Sequence, residues 1–127
     1  MRGWRRLTTE QWERKVAEIE NRINKEITDS IFTFRKSYRS DKRIVLLYEH
    51  IDKKYIIRLN FLNPSNQITP SYKNKPVIIS ILEIPEARTL ISSPEVISEI
   101  ALSIEQENEI IKKIRTHMKE LTLKGMF

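Results

Sequence analysis

Trp12, Val16, Ile19, Ile23 and Ile27 recur at spacings of four, three, four and four, and from Phe32 onward the apolar period falls to two. A repeat near 3.6 followed by a repeat of two is the pattern of an amphipathic helix leading into strands. The chain is therefore expected to be α+β, with an antiparallel sheet and helices packed on it. Thr8 can cap the first helix, Gln11 can complete a capping box and Leu7 can staple onto Trp12. These signals place a helix over residues 9–28. Its stripe covers about two heptads, too few to establish a coiled coil, so packing on a sheet is the expected fate of its apolar face.

The strands follow from the same periodicity. Phe32, Phe34 and Tyr38 alternate with Thr33, Arg35 and Ser37, and Arg39-Ser40-Asp41-Lys42 can turn the chain. Ile44 to Tyr48 are continuously apolar, as in a central strand over residues 43–49. Residues 50–53 turn it again. In the next strand, over residues 54–62, Tyr55, Ile57, Leu59 and Phe61 share one side and Lys54, Arg58 and Asn60 the other. Residues 63–75 read as a loop and residues 76–84 as a fourth, almost wholly apolar strand.

Ser93-Pro94-Glu95 offers an N-cap with proline at the first helical position, predicting a short helix over residues 94–101. Ser103 and Gln106 form a second capping-box pattern ahead of a longer helix over residues 104–121, with Ile110, Ile111, Ile114, Met118 and Leu121 on one face. Gly125 can cap its end. The expected architecture is an N-terminal helix, a four-stranded antiparallel meander, and a C-terminal helix or helix pair packed on one sheet face. Residues 1–7 read as a basic arm and residues 8–124 as a single domain, which suits a chain of 127 residues.

Composition removes whole classes of chemistry. With no cysteine there are no disulfides, thiolate metal sites or cysteine nucleophiles. Two glycines, Gly3 and Gly125, cannot build a glycine-rich phosphate loop. His50 and His117 lie far apart, show no zinc-binding spacing and are expected at the surface. No cofactor or metal is expected. Nor is there an apolar run long enough to span a bilayer or to serve as a secretory signal, which makes the cytoplasm the expected location.

The net charge of +6 is lopsided. Residues 1–60 carry 15 Lys or Arg against 9 Asp or Glu, whereas residues 61–127 carry 8 against 8. An excess concentrated in one half points to an anionic partner, nucleic acid before membrane. Phosphate contacts need cations spread over a surface, and unpaired bases need aromatic platforms. The candidate residues are Arg2, Arg5 and Arg6 in the arm, and Arg35, Lys36, Arg39, Lys42, Arg43, Lys53, Lys54 and Arg58 in strands and turns, with Tyr38 and Tyr55 as platforms.

The expected function is a non-enzymatic nucleic-acid-binding domain, acting on DNA or RNA and forming a homodimer. A structural or protein-interaction subunit, such as a small regulatory or virion-associated protein, is the alternative, in which a helical stripe pairs with another subunit and a charge at Ile111 or Ile114 breaks the assembly. A metal-dependent nuclease is the third possibility, because Asp52-Lys53-Lys54 with Asp41 upstream matches an acid, spacer and lysine arrangement.

Overall fold

The computed structural model describes residues 8–27, 32–51, 54–63, 75–84 and 95–125. Among them the chain begins with helix α1, Thr9–Glu26. The Thr8 hydroxyl accepts from the Gln11 backbone N–H at 3.1 Å, and the Gln11 side chain accepts from the Thr8 N–H at 3.0 Å. This reciprocal pair satisfies two donors that the first turn would otherwise leave unpaired, and so fixes where the helix starts. The expected staple through Leu7 lies outside the described residues.

Five strands follow: β1 (Phe32–Arg39), β2 (Arg43–His50), β3 (Tyr55–Leu62), β4 (Val77–Glu83) and β5 (Glu95–Leu102). They form one antiparallel sheet in the order β1-β2-β3-β4-β5, and α2 (Glu107–Gly125) ends the described chain. The expected α+β meander is present, with one strand more and one helix fewer than its sequence pattern suggests. The short helix expected over residues 94–101 is replaced by the fifth strand, Glu95–Leu102.

The reason lies in β4. Every residue of β4 from Val77 to Leu82 is buried, on both faces. Such a strand cannot stand at an edge, because its outer N–H and C=O groups would lack partners. Pairing with β5 provides them, and tertiary hydrogen bonding overrides the helical start signal at Ser93-Pro94. α2 then begins at Glu107, later than its capping pattern suggests. The Gln106 side chain does return to the Ser103 N–H, at 2.9 Å, but the Ser103 hydroxyl bonds the Glu105 N–H at 3.2 Å in a tight turn ahead of the helix.

One core joins both helices to one sheet face. Trp12, Val16, Ile19 and Ile23 of α1 and Ile110, Ile111, Ile114, Met118 and Leu121 of α2 cluster with Leu46, Tyr48, Ile57, Leu59, Phe61, Val77 and Ile79. The Tyr48 hydroxyl donates to Asn24 Oδ1 of α1 at 3.1 Å, and burial pushes its ionisation far above the usual phenol range. Asn63, fully buried just after β3, donates to Thr9 Oγ1 at 3.1 Å and to the Asp41 carbonyl at 2.7 Å. It fastens the β1–β2 turn to the start of α1. His50 is buried rather than exposed, with its ring edge-on to Phe32 at 4.8 Å. His117 is largely shielded on α2, its side chain 14% exposed.

An ion cluster closes the gap between the helices. Glu107 receives Lys15 Nζ at 2.7 Å and Arg22 Nη1 at 2.9 Å. The hydrogen bond from Lys15, then that from Arg22, holds the Glu107 carboxyl below its ordinary range. A carboxylate with a lowered folded pKa contributes stability that is present above its unfolded pKa, about 4.3, and is lost as pH falls through the folded value. Glu107→Gln is expected to cost on the order of 1 kcal/mol at neutral pH. The difference from wild type should shrink in urea titrations as pH is lowered from neutral into the acid range; a difference unchanged by pH would show that the charge is not what matters.

Candidate functional site

The sheet face opposite the helices is built from three cross-strand rows. Tyr38, Val45, Asn60, Ile78 and Ala101 form the first, and Lys36, Leu47, Arg58, Ser80 and Glu99 the second. Glu49, Ile56, Leu82 and Val96 belong to the third. The β4 part is buried, with apolar Ile78 and Leu82 on either side of the polar Ser80. The β1–β3 part carries the cations.

A bulge in β1 makes this arrangement possible. The register slips between Phe34 and Lys36, so Phe34 pairs with Tyr48 while Tyr38 pairs with Val45. Strict alternation would put Phe34 and Tyr38 on one face. The extra residue inverts everything after it, sending Tyr38 to the helix-free face and Arg39 to the helix side.

Tyr38, Arg43, Val45, Arg58 and Asn60 line an open depression of about 420 Å³. Tyr38 is 52% exposed, and the Arg43 guanidinium carbon stands 5.7 Å from its ring centroid, within cation–π range. Arg58 Nη2 donates to Ser80 Oγ at 3.5 Å, and Ser80 donates to Glu99 Oε2 at 3.0 Å. That chain orients Arg58 across the row. Two atoms beside it, Arg58 Nε and Asn60 Oδ1, are buried without a hydrogen-bond partner.

The other residues expected to bind fall in different places. Arg35 sits at the bulge and donates to Glu49. Arg39, on the helix side, is held by Glu20 at 2.6 Å. Both charges are thereby answered within the chain. Tyr55 faces the helices and packs against the core, so it offers no platform on the open face. Lys36, Lys42 and Lys54 are exposed, Lys36 on the open face and the other two flanking strands. Arg2, Arg5, Arg6 and Lys53 lie outside the described residues.

Asn60 is the residue the sequence-based site leaves out. Its signal was available, since it lies two residues after Arg58 in a strand whose other face is apolar. Ser80 and Glu99 had none, because their role depends on which strands become neighbours. Both helical stripes are consumed by the core, Ile111 being 2% and Ile114 0% exposed. Neither stripe is left over for the alternative in which one pairs with another subunit, and a charge at Ile111 or Ile114 is expected to disrupt folding instead.

Among the described residues no three His, Asp or Glu side chains gather as metal ligands, and Asp52 of the nuclease pattern lies outside them. No helix among them is long and apolar enough to cross a membrane. The chain matches no known protein family, curated protein or solved structure.

Proposed function

We propose that the protein binds nucleic acid, without acting on it chemically, through the β1–β3 part of the open sheet face. The observation that carries this reading is the depression whose lining brings together an exposed aromatic ring, Tyr38, and the side chains of two arginines, Arg43 and Arg58. Lys36 lies in the next row. None of these three cations is in an ion pair with a described residue, unlike Arg35 and Arg39. Cations left without an acid attract an external anion, and a ring beside them suits a polyanion that also carries bases.

The test is fluorescence anisotropy of labelled single-stranded DNA, duplex DNA and RNA over a salt series. Three phosphate contacts predict a fall of log affinity with log salt of slope about −2 for a single strand. Adding Mg²⁺ to the same samples reads cleavage directly. Absence of binding to all three at low salt would overturn the proposal, and Mg²⁺-dependent cutting would replace it with the nuclease reading.

A further inference from the structure

We infer that the chain assembles with further copies of itself edge to edge, β5 of one against β1 of the next, through a parallel seam that continues the sheet. The inference stands apart from the nucleic-acid reading. β1 and β5 end the sheet, and no backbone–backbone hydrogen bond among the described residues reaches the outer side of residues 33–39 or 95–102. Thr33 to Lys36 and Glu95 to Glu99 are all exposed. Unpaired N–H and C=O groups along an extended strand are a template for another strand.

The spacing of side chains selects which strand that is. Each edge strand holds one extra residue, Arg35 in β1 and Ile97 in β5, where its register slips. On the open face this leaves Thr33, Lys36 and Tyr38 of β1, and Val96, Glu99 and Ala101 of β5. Both sets are spaced by three and then by two. Two strands running the same way match that spacing, whereas an antiparallel pair sets three against two and brings opposite faces together. Pairing β1 with β1, or β5 with β5, across a two-fold axis is antiparallel and is disfavoured on that ground. β1 and β5 run the same way, because four antiparallel steps separate them. A copy displaced by the width of the sheet, about 24 Å for five strand spacings, sets its β1 parallel to β5 and keeps all the helices on one side.

The three cross-strand rows then run on from copy to copy with complementary ends. In the second row Lys36 at one edge meets Glu99 at the other. Glu99 accepts from the Ser80 hydroxyl at 3.0 Å and is in no ion pair with a described residue. In the first row the exposed Tyr38 ring meets Ala101, whose small side chain leaves room for it. In the third, Thr33 meets Val96, a β-branched pair of the kind that packs well between strands. Like edges would instead bring Lys36 towards a second Lys36, or Glu99 towards a second Glu99. Lys36 thus meets phosphate in the separate protein and Glu99 of the next copy in the stack.

Sedimentation velocity of the purified chain, without nucleic acid, tests the seam. Wild type should form particles larger than a dimer as its concentration rises from about 10 µM to about 1 mM, the range for a small interface. Head-to-tail contacts do not stop at two copies. Lys36→Glu and Glu99→Lys each set like charges across the seam and should weaken association at least about tenfold. An equimolar mixture of the two variants, or both reversals in one chain, should restore it. Val96→Lys, which alters neither charge partner, should weaken it as well. The inference is overturned by a wild type that stays monomeric or stops at a dimer, by reversals that leave association unchanged, or by reversals that neither the mixture nor the double variant restores. Any of these results leaves the nucleic-acid proposal standing, and failure of nucleic-acid binding leaves the seam standing.

Discussion

Trp12→Ala is expected to destabilise the fold by about 3–5 kcal/mol, the range for truncating a large aromatic in a packed core. Trp12 occupies the fourth position of α1, has no exposed surface, and is the largest of the wholly buried side chains among the described residues. It joins the cluster shared by both helices and the sheet, so the void left by alanine has walls on several elements and cannot collapse by moving one of them. Since a domain of this size holds together by about 5–15 kcal/mol, the variant should be largely unfolded at moderate urea concentrations where wild type is intact.

The indole Nε1 is itself buried without a hydrogen-bond partner. Trp12→Phe removes that cost along with some volume, and should therefore lose much less than the alanine variant. Urea unfolding followed by far-ultraviolet circular dichroism measures both. A loss below about 1 kcal/mol for Trp12→Ala would mean that the side chain is not packed as described.

Replacing Lys36, Arg43 and Arg58 together by alanine is expected to weaken binding to a single strand about a hundredfold at 0.1 M salt. Each phosphate contact contributes a slope of about 0.7, hence about 0.7 log units at that salt, and three contacts give about two. The salt slope should drop by about 2 as well. Arg35→Ala with Arg39→Ala supplies the contrast, because those two guanidinium groups already face Glu49 and Glu20. Removing them should change affinity by less than about threefold, although the nominal charge lost is comparable. If both sets of substitutions weaken binding in proportion to charge alone, the open face has no special role and the lopsided charge acts as a diffuse field.

The legible parts of the fold are those whose signals are local. The Thr8–Gln11 capping box set the start of α1, the four-three period assigned α1, and the period of two in β1 and β3 with the apolar runs of β2 and β4 assigned the first four strands. Arg58 and Asn60 were correctly placed opposite Ile57 and Leu59 because β3 alternates over Ile57 to Phe61, although Ile56 and Leu62 break the polarity of its second side. The candidate site was legible to the same extent. Arg58 follows from alternation, but Tyr38 could not be set beside it, since strict alternation in β1 puts Tyr38 on the side of Phe34.

What the chain by itself determined, then, is the inventory: an α+β class, the absence of thiol and glycine-loop chemistry, a basic first half, and the strands with unbroken periods. Tertiary structure decided the remainder. A bulge at Arg35 chose the face of Tyr38, hydrogen-bond demand along β4 turned residues 95–102 into strand, and cross-strand pairing brought Ser80 and Glu99 to Arg58. The physical reason is common to all three. Capping and periodicity are read from residues a few positions apart, whereas a bulge, an edge and an ion's partner are set by strands that meet only once the sheet has formed.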